Sequence, residues 1–101
     1  MSGPTSPGAA MDRLTKTVTI RNQRGLHARA AAKFVKLAAE FEAEIWVERN
    51  GSEVGGQSIM GLMMLAAGPG SDLLIEAEGA DGGPALSALT QLVACGFEEE
   101  D

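Results

Sequence analysis

The sequence predicts a two-layer α+β sandwich, and three observations predict it. Segments of period-two and three-to-four spacing follow one another as strand, helix, strand, strand, helix, strand, helix. Each helical segment has one apolar stripe and each strand one apolar face, so the two kinds must cover each other. The chain of 101 residues is long enough for one core.

Residues 1–11, rich in Gly, Pro, Ser and Ala, read as a disordered leader in which Met11 could be an alternative start. "LTKTVTI" (14–20) reads as a half-buried first strand, and the loop "RNQRGL" follows. Residues 28–41 read as a helix: Ala31, Val35, Ala38 and Phe41, beside Phe34, recur as a core-facing stripe requires. Arg29, Lys33, Lys36 and Glu40 fall on a second line, with Lys36 and Glu40 spaced to pair.

"AEIWVER" (43–49) is a second strand with Ala43, Ile45 and Val47 on one face. Asn50-Gly51 is a strong hairpin signal leading to a short third strand, "SEVGGQ" (52–57), which Gly55-Gly56 weakens. "SIMGLMMLAAG" (58–68) reads as a short helix capped by Ser58 and stopped by Gly68-Pro69-Gly70. In the fourth strand, "DLLIEAE" (72–78), Leu73, Ile75 and Ala77 face the core. The last helix, 84–97, starts at Pro84 and stops near Gly96, with Leu86, Leu89, Val93 and Phe97 as its stripe, helped by Leu92. The folded domain is expected over 12–97, followed by an acidic tail, 98–101.

Composition excludes several functions. No apolar run reaches the roughly 20 residues of a membrane span, and the first ten residues lack the pattern of a signal peptide. A cytoplasmic protein is expected. Cys95 is the single cysteine and His27 the single histidine, which leaves no cysteine cluster and no zinc spacing. No metal or cofactor is expected. The net charge of −6 divides unevenly: residues 1–39 carry seven Lys/Arg against Asp12, and residues 40–101 carry Arg49 against thirteen acids. The basic part is expected to cluster around His27. An acidic domain with one Trp and no Tyr is a poor nucleic-acid binder.

His27 stands at the mouth of the first helix, whose leading N–H groups lack intrahelical partners. Those donors and the positive helix end favour an anion and a neutral imidazole with a lone pair to offer. A phosphoryl group taken up by the ring would lie against the N–H groups, with Arg29 placed to grip its oxygens. Reversible phosphoryl transfer needs mostly such positioning and electrostatics. The plain alternative is a surface histidine without chemistry.

"RGLHARAAAKFVKLA" (24–38) resembles the active-site segment of the HPr family, the histidine phosphocarriers of the phosphoenolpyruvate phosphotransferase system. "QSIMGLMMLAAGPGSDLLIEAEG" (57–79) resembles that family's regulatory-serine segment and fourth strand. The resemblance spans about residues 13–97. It implies an open-faced β-sandwich, a four-stranded antiparallel sheet covered on one side by three helices. It also implies that enzyme I phosphorylates His27 on Nδ1, that Arg29 is the active-site arginine, and that an EIIA-type protein is the acceptor. Ser58 falls where some members are phosphorylated by HPr kinase/phosphorylase. Many members have proline where this chain has Ala30, a departure that bears on the rigidity of the site. "GLMMLAAG" and "CGFEEED" are closer to the nitrogen-related branch, in which the chain acts as a regulatory relay.

From Ile59 to Ala67 every residue but Gly61 is apolar, more than a short surface helix can bury. Leu62 and Leu65 are expected inside, and at least half of the methionines are expected to fill core gaps. By resemblance, Ile59, Met60 and Met63 belong to a docking face beside Ala28 and Lys36. Two functions are carried forward. One is a monomeric phosphocarrier rather than an enzyme with its own turnover. The other is a regulatory module that binds target proteins, gated by phosphorylation at His27 or Ser58.

Overall fold

The computed structural model describes residues 13–99; the expected leader 1–11, Asp12, and Glu100 and Asp101 of the expected tail lie outside the described residues. Four strands, β1 (Leu14–Thr19), β2 (Glu44–Arg49), β3 (Ser52–Gly55) and β4 (Asp72–Glu78), form one sheet. Its order is β1-β4-β2-β3, and every pairing is antiparallel. Three helices, α1 (Ala28–Ala38), α2 (Ile59–Met64) and α3 (Gly82–Ala94), and a final 3-10 turn at Gly96–Glu98 complete the expected order.

The register places the apolar residues together. Val18 faces Leu73, Ile45 faces Ala77 and Val47 faces Ile75, so one side of the sheet is a continuous apolar floor. Ala31, Phe34, Leu62, Leu89 and Val93 cover it from the helices, all fully buried. The turn between β2 and β3 works as its sequence requires. Asn50 and Gly51 have φ of 52° and 85°, the left-handed pair that a two-residue hairpin with the correct twist demands.

On the other face of the sheet, Arg13 lies over the Trp46 ring, 3.6 Å from its centroid, and reaches Glu76 at 3.2 Å and Glu53 at 3.5 Å. Burial, then the hydrogen bond with Glu53, push the Glu76 carboxyl up; the Arg13 charge opposes them. The cations therefore do not all gather at His27, as the sequence division had implied. Arg13 serves the open face because β1 begins there.

Element ends differ where tertiary contacts outcompete periodicity. α1 stops at Ala38, so Glu40 lies beyond the helix and, among the described residues, no ion pair joins it to Lys36. α2 ends at Met64 rather than running to Gly68. There Ala66 turns left-handed with φ of 53°, and Arg49 takes the orphan Leu65 carbonyl at 3.0 Å. The early stop frees the Ala67 carbonyl for the loop before α1. α3 begins two residues before Pro84, and Asp81 spends its carboxylate on the Glu42 amide at 2.8 Å instead of capping the helix. Met60, Met63 and Met64 are all exposed, against the expectation that half would pack inside. Leu62 and Leu65, the two residues of this segment expected inside, are both buried.

The chain after α3 is also more ordered than a tail. Gly96, Phe97 and Glu98 are consecutively left-handed, with φ of 72°, 57° and 64°. Glycine is free to do so after a helix, but each of the other two costs of order 1 kcal/mol. Complete burial of Phe97 offsets that, and Lys33 Nζ donates to its carbonyl at 2.7 Å. Glu98 and Glu99, assigned to the acidic tail from sequence, are thus part of the folded unit. Phe97→Ala is expected to lower the unfolding free energy by about 3–5 kcal/mol, read as a lower urea midpoint with an unchanged slope.

Candidate functional site

The loop before α1 is held from two directions. Gly25 has φ of 67°, and a Cβ there would collide with the Ala67 carbonyl, so only glycine permits the approach. The Leu26 amide then donates to that carbonyl at 2.9 Å. Asn22, 1% exposed, donates through Nδ2 to the Gly25 carbonyl at 2.9 Å. The loop between β1 and α1 is therefore pinned to the segment just after α2.

This places His27 as the N-cap of α1, in extended conformation with φ of −82° and ψ of −179°. Its Nδ1 accepts from the Arg29 amide at 3.1 Å and, at greater length, from the Ala30 amide at 3.4 Å. The imidazole does the work that Ser, Thr, Asp or Asn does at most helix starts. On the other side of the ring, Nε2 is bonded to Glu99 Oε2. Glu99 is held in turn by Asn22 Nδ2, at 3.0 Å from Oε1. Burial alone would raise the Glu99 carboxyl; the hydrogen bonds from His27 and Asn22, with the positive charge of Arg24 nearby, outweigh it and hold the group below the usual carboxylate range.

A neutral ring in this position has a lone pair on Nδ1 and a hydrogen on Nε2. The lone pair points at backbone donors on the positive end of a helix. Arg29 and Ala28 are exposed beside it. Among the described residues no carboxylate holds the Arg29 guanidinium, which leaves its donors free for an anion. Ala30 is fully buried and keeps the N–H that proline would lack. Among the described residues no cluster of three metal-ligating side chains occurs, and no helix is long and apolar enough to cross a membrane.

Ser58 is the N-cap of α2, its Oγ accepting from the Gly61 amide at 2.9 Å, and it is exposed. Ile59, Met60, Met63 and Met64 follow, exposed by 41%, 73%, 43% and 77%, four large apolar side chains on one short helix. α2 packs beside α1, which carries exposed Lys36 further along. Lys33 is not a free member of the basic line, since it anchors the Phe97 carbonyl.

The model of the PTS HPr component phosphorylation site matches residues 14–94. The chain belongs to the HPr family. It is similar to the phosphocarrier protein HPr of Neisseria meningitidis serogroup B, 49% identical over 86 residues, 85% of this chain and 97% of that one. It is also similar to the phosphocarrier protein NPr of Shewanella violacea, 42% identical over 89 residues, 88% of this chain and 98% of that one. Among solved structures, HPr-C-His from Thermoanaerobacter tengcongensis superposes with a TM-score of 0.82 at 42% identity. That match covers 87% of this chain and 99% of that one. HPr family membership and the open-faced sandwich agree with the sequence resemblance.

Sequence reasoning singled out His27, Arg29 and Ser58, which the structure places at the starts of α1 and α2, but it did not single out Asn22 and Glu99, which close on His27. Asn22 sits in a polar loop and Glu99 in an acidic run, and neither context marks one residue among its neighbours. The only hint was the left-handed Gly96 after α3, which turns the chain. Glu99 supplies a testable pH dependence. Its folded pKa lies below the ordinary value of 4.5, so its stabilisation is complete above that value and lost as pH falls through the lower folded one. Glu99→Gln is expected to be less stable than the parent at pH 7, with the difference shrinking below about pH 4.5 in thermal unfolding across pH.

Proposed function

We propose that this chain is a cytoplasmic phosphocarrier of the phosphotransferase system. His27 accepts a phosphoryl group from enzyme I on Nδ1 and passes it to an EIIA-type acceptor. The supporting observation is the placement of the Nδ1 lone pair against the first amides of α1. A phosphoryl group on that nitrogen displaces the Arg29 and Ala30 amides from the ring, and its oxygens offer them better acceptors. The free Arg29 guanidinium adds charge-assisted bonds to the same oxygens. The carrier is consumed and restored once per transfer, so it is a stoichiometric relay and not an enzyme with its own substrate turnover.

Partners meet His27 from the side of α2, where Ile59, Met60 and Met63 give an adaptable apolar surface with Ala28 and Lys36 at its rim. Phosphorylation of Ser58 by an HPr kinase/phosphorylase would add about −1.5 to −2 charges beside that surface and weaken docking. The nitrogen-type role is supported by the segments "GLMMLAAG" and "CGFEEED" and by likeness to a chain named NPr. The second reading, a regulatory module that binds target proteins, is favoured by the extent of the methionine patch. There the state of His27 or Ser58 sets the affinity.

Phosphoryl transfer from phosphoenolpyruvate through enzyme I tests the leading reading. An acid-labile adduct is expected on the parent and none on His27→Ala. No adduct on a folded parent, with enzyme I proven active, turns the choice to the binding module. Rates with sugar-type and nitrogen-type enzyme I, compared side by side, distinguish the branches. Lys36→Ala is expected to slow uptake a few-fold without abolishing it, with a smaller effect at high salt. Transfer rates independent of salt would remove the steering role. Ser58→Asp is expected to weaken partner binding, whereas Ser58→Ala costs about 1 kcal/mol of stability and leaves binding intact.

A further inference from the structure

We propose that the open face of the sheet is a second docking surface, which takes an arginine of a basic polypeptide in the place over Trp46 that Arg13 now fills. The proposal concerns the side away from His27 and does not rest on the phosphocarrier reading.

Alternation fixes what this face presents. Glu44, Trp46 and Glu48 of β2, Glu53 of β3, and Glu76 and Glu78 of β4 lie on it together. The cations of the strands, Lys16 and Arg49, alternate to the helix side. The register then sets like charges directly opposite each other: Glu44 faces Glu78, and Glu48 faces Glu53. Such pairs oppose folding. Among the described residues the only ion pairs on this face are those of Arg13 with Glu53 and Glu76. Burial, the hydrogen bond with Glu53 and the charges of Glu53 and Glu48 push the Glu76 carboxyl up, with Arg13 alone opposing them. The face is therefore short of positive charge even with Arg13 in place.

Arg13 itself shows which cation fits. Its guanidinium lies 3.6 Å from the centre of the Trp46 ring, with Glu76 and Glu53 beside it. An indole face flanked by two carboxylates suits a flat, delocalised cation, and a lysine ammonium has no plane to stack on it. Yet Arg13 fills the place incompletely. One nitrogen, Nη2, serves both carboxylates, at 3.2 and 3.5 Å, so no two-pronged pair forms. Its side chain is 36% exposed, and ion pairs so exposed hold weakly. On β3 the residue opposite Trp46 is Gly55, where even a Cβ would meet nothing within 4 Å. An incoming chain has room beside the ring. A segment with several cations answers Glu44, Glu48 and Glu78 as well as the two carboxylates that Arg13 reaches, and so displaces a lone arginine. A second copy laid face to face would set carboxylates against carboxylates.

Titration of the full chain, labelled with nitrogen-15, with hexa-arginine and with hexalysine at low salt tests this. Hexa-arginine is expected to bind about tenfold more tightly, the difference between a stacked guanidinium and a point charge. The indole N–H of the single tryptophan is expected to shift with the amides of β2 and β4, while those of His27 and Met60 stay in place. Arg13→Ala vacates the place and is expected to bind hexa-arginine a few-fold more tightly; Trp46→Leu is expected to bind the two peptides alike. Should Trp46→Leu fail to fold, Glu48→Gln and Glu78→Gln still decide. Each relieves a like-charge pair, so each is expected to raise the thermal midpoint while weakening hexa-arginine a few-fold. Carboxylates that serve the fold alone would lower the midpoint and leave the affinity unchanged. Equal affinity of the parent for both peptides, shifts centred on the His27 loop, or an Arg13→Ala chain that binds no more tightly would overturn the proposal. Self-association of Arg13→Ala without peptide would give the face to a second copy and overturn the choice of partner.

Discussion

The amino end of α1 has backbone donors with no acceptor of their own, and the side chain that supplies one is an imidazole. Much of the molecule is arranged around that substitution for an ordinary cap. A serine or aspartate would satisfy the same amides with an inert oxygen. A ring nitrogen satisfies them with a lone pair of its own, so the cap and the nitrogen of the proposed transfer are one atom. Fixing the ring then requires the loop from Asn22 to Leu26, and that loop is fixed by a glycine pressed on the Ala67 carbonyl.

The contact with Ala67 links two regions that are far apart in sequence. α2 ends early, against its own apolar periodicity, and the Arg49 guanidinium covers the carbonyl at its end. The chain released by that stop becomes the platform for the His27 loop. The methionine surface and the imidazole are thus attached to one piece of backbone. The two are therefore held in one fixed relation, through the Leu26 amide on the Ala67 carbonyl.

The fold was legible because its elements announce themselves locally. The Asn50-Gly51 turn, the alternation in 72–78 and the stripe beside Phe34 each have one sensible interpretation, and the structure agrees with them. The ends of α1 and α2 were not legible, since a carbonyl claimed by Arg49 and a left-handed Ala66 are decided by tertiary partners. At the site, His27 could be found from its place before a helix, and Arg29 from its neighbourhood. Asn22 and Glu99 could not, because their importance lies in meeting across a separation of 77 residues. Glu99 was hidden further by sitting in a run of like residues, where charge suggests a solvated tail. What distinguishes it is the buried Phe97 two positions before, which a sequence reader sees only as the last member of a helix stripe.

The side of the sheet away from the helices has a consequence of its own. Trp46, half-buried under Arg13, is the one tryptophan of a chain with no tyrosine. The molecule's intrinsic fluorescence therefore originates on the face opposite His27 and the methionines. Its emission follows the integrity of the sheet and of the Arg13 contact that covers the ring. For this protein light from within measures the folding of the sheet.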